Sequence, residues 1–105
     1  MAAVTVSKRS ESIINFTTGS FTGDGTATII NLGYDPLWAF VVNETDATTW
    51  EKIDPMVAAN SVKTIAVGTM TLDATSAIVF NGDKTVTLSA GVGVAAKAIK
   101  FLFRR

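Results

Sequence analysis

The chain has 105 residues, which is enough for a single domain with a thin hydrophobic core. Hydrophobic residues make up 48% of the chain and charged residues 17%, so an intrinsically disordered chain is excluded. The absence of Cys and His excludes disulfides, thiolate metal sites and the usual general base. The low charged fraction has two explanations that stay open: a surface covered in an assembly, or strands whose outward faces carry threonine hydroxyls.

The charges are unevenly distributed although the formal net charge is zero. Basic residues lie near the two ends of the chain: Lys8, Arg9, Lys97, Lys100, Arg104 and Arg105. If the termini lie close together, one end of the domain is basic, which suits docking on an acidic protein surface. An uneven distribution by chance is the alternative. The pI of about 6.1 argues against a nucleic-acid partner.

Neither a membrane segment nor an export signal is predicted. No apolar run approaches the roughly 18 residues of a membrane span. The start of the chain (MAAVTV) has no basic region followed by an apolar stretch, so we expect no signal peptide and synthesis in a cytoplasm.

The chain shows the period-two alternation and the short apolar runs that are typical of β-strands, with Gly, Asn, Asp and Thr between them. In chain order, the predicted strands lie at residues 13–18, 26–32, 37–42, a short stretch around Trp50, 63–67, 69–72, 75–80, 85–89 and 96–103. About eight strands at roughly ten-residue spacing predict an all-β fold: a small antiparallel β-sandwich, jelly roll or small barrel.

Several segments carry more specific expectations. Residues 1–12 are predicted to be an N-terminal arm with a polar linker over 7–12, and residues 13–105 the β-domain. Residues 37–42 are apolar on both faces and therefore predict a central strand. Asn81-Gly82 predicts a tight hairpin turn, and residues 43–60 predict a loop. The predicted core residues are Trp38, Phe40, Phe80, Leu88, Phe101 and Phe103.

The sequence offers little for catalysis, and we expect no enzyme, no cofactor and no metal. Ser7–Lys8 and Ser61–Lys63 are pairs that occur by chance, and neighbouring strand residues point to opposite faces. The carboxylates between residues 44 and 54 are interpreted as solvated loop acids. Calcium ligation was considered for Asp24, Glu44, Asp46 and Asp83. Turn chemistry explains the Gly23-Asp24-Gly25 segment equally well.

Binding to other molecules is the remaining class of function. Trp50 in a predicted loop either caps the core edge or anchors a partner. The residues predicted to contact a partner are Val4, Val6, Lys8, Arg9, Trp50 and Glu51. An alternative binding surface, for a cell-surface sugar, would combine Tyr34, Trp50 and Glu51.

Residues 23–30 (GDGTATII) and 32–38 (LGYDPLW) form a pattern similar to one found in structural proteins of tailed phages. There a glycine turn opens a strand, and a Leu-Gly-aromatic-x-Pro step leads into a hydrophobic strand. The later segments VNETD, WE, VKTIAVGT and TLD also resemble small phage and prophage proteins, so the resemblance covers about residues 16–103.

The resemblance implies a virion component with no catalytic residues. A capsid decoration (cement) protein would bind the major capsid protein on the outer surface of the shell and stabilise it. The resemblance also implies a homo-oligomer, with a trimer favoured. The alternative is a head or tail fibre module that recognises a receptor or glycan on the host.

Overall fold

The computed structural model describes the backbone of residues 3–9 and 15–105; the side chains of residues 7–9 lie outside this description. The described residues form strands, turns and bends without helix. The strands are β1 (Thr5–Arg9), β2 (Phe16–Thr22), β3 (Thr28–Asn31), β4 (Trp38–Asn43), β5 (Thr48–Ile53), β6 (Ser61–Thr64), β7 (Met70–Asp73), β8 (Ile78–Phe80), β9 (Thr85–Leu88) and β10 (Ala98–Arg104).

These strands build two antiparallel sheets. The large sheet has the order β1-β2-β10-β4-β5-β6-β7, and the small sheet has the order β3-β9-β8. The predicted all-β sandwich is therefore confirmed, with ten strands among the described residues where about eight were predicted. The apolar run at residues 37–42 is also confirmed as a central strand, because β4 is the fourth of the seven strands in the large sheet.

The core lies between the sheets, and alternate residues of strands such as β4, β9 and β10 contribute to it. Its largest fully buried apolar side chains are Phe103, Ile78, Leu88, Ile99, Val41, Val86 and Val92. Complete burial of a side chain of this size contributes about 2 kcal/mol. Leu88, Phe101 and Phe103 were predicted correctly as core residues, and Phe80 is partly buried against the core.

Trp38 and Phe40 were predicted as core residues, and this prediction is wrong. Both side chains are only half-buried and lie on the face of β4 that points away from the small sheet. The buried face of β4 consists of Ala39, Val41 and Asn43. A strand with apolar residues on both faces gives no sequence signal for which face meets the core.

Two strands extend beyond the bounds predicted from the sequence: β2 continues past residue 18, and β5 is longer than the short strand predicted around Trp50. Gly19 lies inside β2, where a Cβ would stand 2.2 Å from the Thr5 carbonyl oxygen and 2.5 Å from the Phe101 ring. This glycine therefore permits close packing and does not end the strand. Residues 48–53, inside the predicted loop over 43–60, form β5.

The N-terminal segment joins the large sheet through its backbone. Thr5–Arg9 pairs with β2, with a register irregularity between Val6 and Lys8, where a polar linker was predicted from residue 7 onward. Residues 10–12 of the predicted arm and residues 13–14 of the predicted strand lie outside the described residues. Strand β2 lies between the backbone of Lys8 and Arg9 on one side and Leu102–Arg104 on the other. The basic ends of the chain therefore lie close together in the same sheet.

Candidate functional site

The large sheet has a face that points away from the core, and we call it the outer face. Strand registers align its residues in rows across the sheet; one row contains Thr18, Leu102, Phe40, Glu51, Val62 and Leu72. The apolar members of the outer face are Phe16, Trp38, Phe40, Val42, Ile53, Val62, Met70, Leu72 and Leu102. These positions extend from β2 to β7. A solvent-facing sheet surface usually alternates to polar residues, so this face is unusually apolar.

An aromatic pair occupies the middle of the outer face. The Trp38 and Phe40 rings are stacked, with centroids 6.2 Å apart and an interplanar angle of 5°. The Trp38 indole Nε1 donates a hydrogen bond to Glu51 Oε2 at 2.8 Å. The two rings therefore present flat apolar surface while the polar edge of Trp38 is already satisfied.

A shallow groove of about 170 Å³ lies beside the aromatic pair. Phe40, Val42 and Leu102 contribute apolar walls, and Lys100 contributes the aliphatic stem of a charged side chain. The groove is open to solvent and carries no cluster of acid–base groups. Its shape and lining suit an apolar side chain from a partner surface.

The apolar positions continue to the β7 edge with increasing exposure. Ile53 is 49% exposed, Leu72 63% and Met70 68%. Single exposed apolar residues are ordinary on protein surfaces, whereas a contiguous apolar patch marks an interaction site. On the outer face, Trp38 lies opposite Ile53 and Val62 lies opposite Leu72 in the strand registers, so several of its apolar residues have apolar neighbours.

Few charges interrupt the outer face. Among the side chains that the structure describes there, Glu51, Lys100 and Arg104 are charged. The remaining polar positions are hydroxyls, including Thr18, Ser20, Thr49 and Thr64. Apolar and hydroxylated positions are therefore intermixed on this face.

The residues predicted from the sequence as partner contacts do not form one site. Trp50 is wrong as a loop anchor: it lies on β5, is 3% exposed and belongs to the core. Val4 packs against the core and Val6 is half-buried, while the side chains of Lys8 and Arg9 are outside the described part of the structure. Glu51 is exposed on the outer face.

The predicted sugar-binding surface of Tyr34, Trp50 and Glu51 is not assembled. Trp50 and Glu51 are consecutive on a strand and point to opposite faces of the large sheet. The Tyr34 hydroxyl is half-buried, donates to the Phe103 carbonyl at 3.1 Å and lies 2.9 Å from Thr17 Oγ1. Tyr34 therefore serves to fasten the loop before β4 to β10 and β2.

Two of the four acids that could ligate calcium, Asp24 and Asp83, accept hydrogen bonds within turns. Asp24 Oδ1 accepts hydrogen bonds from the hydroxyl and backbone N–H of Thr26, and these bonds lower the pKa of its carboxyl. Asp83 accepts the same pair of bonds from Thr85. Within residues 3–9 and 15–105, no group of three or more acidic side chains is arranged to hold a metal ion.

Lys52 is a feature that the sequence pattern did not indicate. Its side chain is buried between the sheets, and Nζ donates to the carbonyls of Val57, Ala58 and Asn60 at 2.8–3.0 Å. Nζ also lies 5.7 Å from the centre of the Phe80 ring. Burial lowers the pKa of Lys52. This ammonium holds the loop between β5 and β6, and thereby positions the outer part of the large sheet.

Asp73 fixes the β7 edge to the core. It accepts a hydrogen bond from Trp50 Nε1 at 3.1 Å and two more from the backbone and hydroxyl of Thr75. The Lys63 ammonium lies 5.6 Å from the centre of the Trp50 ring. Burial acts to raise the pKa of Asp73, but the hydrogen bonds from Thr75 and Trp50 and the charge of Lys63 outweigh it, so the pKa is lowered.

Comparison of the chain with protein-family models, curated proteins and solved structures gave no match. The described residues contain no helix that is long and apolar enough to cross a membrane.

Proposed function

We propose that the protein is a structural, non-catalytic component of an assembly and that its outer face is the docking surface. The observation that carries this proposal is the number of apolar residues on the outer face, which include the Trp38–Phe40 pair, the lining of its groove and residues on β5, β6 and β7. The core lies on the other face of the large sheet, where fourteen apolar residues of the described part of the chain are buried.

The size of the outer face is suitable for a specific interface. Six inter-strand spacings of about 4.8 Å make the large sheet about 29 Å wide. Strands of six or seven residues are about 20 Å long. The product is a projected area of about 600 Å², which is comparable to the 800 Å² or so that each partner buries in a standard interface.

The charges on this face favour one orientation of a partner on the docking surface. Lys100 and Arg104 lie on β10, and Glu51 lies on β5 beyond the central strand. The β10 side therefore favours an acidic patch on the partner, and the β5 side favours a basic group. Such a pair of opposite preferences fixes the orientation of one surface on another more than it adds affinity.

The proposed partner is the major capsid protein on the outer surface of a tailed-phage shell. Support for this partner comes from the resemblance of residues 16–103 to small tailed-phage virion proteins. In this role the protein would stabilise the shell by bridging capsid subunits through its apolar face. The location in a virion and the assembly into a homo-oligomer are parts of the same proposal.

The test uses two isoleucines with matched exposure on opposite sides of the sandwich. Ile53 is 49% exposed on the outer face, and Ile29 is 51% exposed on the solvent side of the small sheet. We expect Ile53→Lys to weaken co-sedimentation with purified shells that lack the protein by about tenfold or more, because a lysine ammonium would have to be buried. Ile29→Lys should bind within about twofold of the unmodified protein.

Equal binding of both variants would contradict the assignment of the docking face. Failure of the unmodified protein to sediment with the shells would overturn the capsid partner. If the unmodified protein bound intact host cells and did not bind the shells, the result would favour the fibre module instead.

A further inference from the structure

The β7 edge of the large sheet is a short strand of four residues with one charged side chain, Asp73, and it lacks several other features that usually prevent strands from pairing between molecules. Met70–Asp73 pairs with β6 on one side, in a regular register without a bulge, and no described strand pairs with its other side. It contains no Lys, Arg or Pro. Exposed edge strands are usually protected by such residues or by bulges.

The opposite edge of the same sheet is protected. The register of β1 shifts between Val6 and Lys8, and the strand includes the basic residues Lys8 and Arg9. An irregular edge with lysine or arginine disfavours the addition of another strand. Of the two edges of the large sheet, β7 is therefore the one more open to strand pairing.

The alternation of backbone hydrogen bonds shows which groups of β7 point outward. Ile65 N donates to the Thr69 carbonyl at 3.1 Å, so this pair is hydrogen-bonded across the hairpin. Hydrogen-bonded and non-hydrogen-bonded pairs alternate in an antiparallel ladder. Thr71 and Asp73 therefore bond to β6, while the N–H and C=O groups of Met70 and Leu72 point away from it.

We propose that β7 pairs antiparallel with β7 of a second copy of this chain, about a twofold axis at Thr71. In this register Met70 lies opposite Leu72 of the second copy, and Leu72 lies opposite its Met70. The two outward-facing residues of each strand then exchange their backbone hydrogen bonds with each other. The contact is isologous and closes as a dimer, because each copy uses the same edge.

Side chains and charges are compatible with this register. Met70 and Leu72, the two most exposed apolar residues of the outer face, become cross-strand neighbours, and such apolar pairs stabilise a sheet. Asp73, the charged residue of β7, lies opposite Thr69 of the other copy. The two Asp73 residues are then four positions apart along the strand, or about 13 Å. Like charges are thus not placed opposite each other.

The dimer would join two outer faces into one continuous apolar surface, since residues opposite each other in an antiparallel pair share a face. A four-residue strand makes a small contact, so we expect the dimer to have a dissociation constant in the micromolar range or higher in free solution. The inference needs no partner other than a second copy. Its test is therefore separate from that of capsid binding.

The experiment uses single cysteines, because the chain has no Cys of its own. Thr71 would form a non-hydrogen-bonded pair with its counterpart, with Cα atoms about 4.5 Å apart, which is within the range of a disulfide. We expect Thr71→Cys to form disulfide-linked dimers under mild oxidation at least about tenfold faster than the exposed Thr22→Cys at the far end of β2. Leu72→Cys should also cross-link slowly. In this register Leu72 lies opposite Met70 of the second copy, and Leu72 of the second copy lies two residues further along that strand.

Equal rates for Thr71→Cys and Thr22→Cys would overturn the proposal. Leu72→Cys as the fastest variant would also overturn it, because the twofold axis would then lie elsewhere. A second variant separates strand pairing from the reactivity of the thiol: Leu72→Lys combined with Thr71→Cys should cross-link about tenfold more slowly than Thr71→Cys alone. An unchanged rate in the combined variant would contradict β7 pairing.

Discussion

Lys52 shows how a single buried charge organises this sandwich. Its three hydrogen bonds go to carbonyls of one loop, at Val57, Ala58 and Asn60. Three N–H donors are what an ammonium group has, so its hydrogen-bonding capacity is filled. The Val57 carbonyl also accepts a hydrogen bond from the backbone N–H of Asn60 at 2.8 Å, so Lys52 adds a charged donor to a loop that has a backbone hydrogen bond of its own. The charge thus supplements the backbone hydrogen bonding of the irregular segment between β5 and β6.

We predict that Lys52→Met lowers the free energy of unfolding by about 3 kcal/mol, because the aliphatic stem is retained but the carbonyls lose their charged donor. Urea denaturation measures the change. Lys84→Met, at an exposed turn residue, is the matched control and should change the free energy by no more than about 0.5 kcal/mol. A similar small effect for both variants would show that the Lys52 contacts do not stabilise the fold.

Strand elements were predictable where one residue type occupied each face. In β9 the alternation of Thr85, Val86, Thr87 and Leu88 identified both the strand and its buried side, and Asn81-Gly82 identified the turn before it. β5 was not predictable as a whole strand, because its buried face contains Lys52 beside Trp50. A lysine on the core side gives the pattern of a polar loop.

The sequence did not predict which strands share a sheet, and the reason is a different one. β2 pairs with β10 at the other end of the chain, and no local pattern encodes a pairing over that separation. The same holds for the outer face, since its rows combine residues from β2 to β7. The candidate site therefore emerged only with the strand order. Glu51, which the sequence predicts as a partner contact, is exposed on this face.

At the junction of β5 and β7, where Trp50 Nε1 donates a hydrogen bond to Asp73, we predict that Asp73 stabilises the fold in a pH-dependent way. Its pKa is lowered in the folded protein, so its contribution to stability is present above the unfolded pKa of about 3.9 and is lost as the pH falls through the folded value. Asp73→Asn should lower the free energy of unfolding by about 1 kcal/mol at pH 7, a modest value because the carboxylate is partly exposed to solvent.

Chemical denaturation between pH 7 and pH 2 checks this prediction. The difference between Asp73→Asn and the unmodified protein should shrink as the pH falls below about 4. Asp35→Asn, outside this junction, provides a comparison for general charge effects. A difference for Asp73→Asn that stays constant with pH would mean that the carboxylate charge contributes nothing to the junction.

The whole molecule has two sides of different character. The solvent side of the small sheet includes Ile29, Thr87 and Val79 in a short row, whereas the outer face of the large sheet carries apolar residues across most of its seven strands. The core is complete between the sheets. The proposed docking on a partner would cover this second apolar surface.

The most direct test of this account is hydroxyl-radical footprinting of the protein, free and in the assembled particle. We predict that oxidation of Trp38, Phe40 and Leu102 falls several-fold on assembly, because the docked partner excludes water from the outer face. Oxidation of Ile29, on the other side of the sandwich, should stay unchanged. Full oxidation of Trp38 in the particle, or protection of Ile29 in its place, would contradict docking through the outer face.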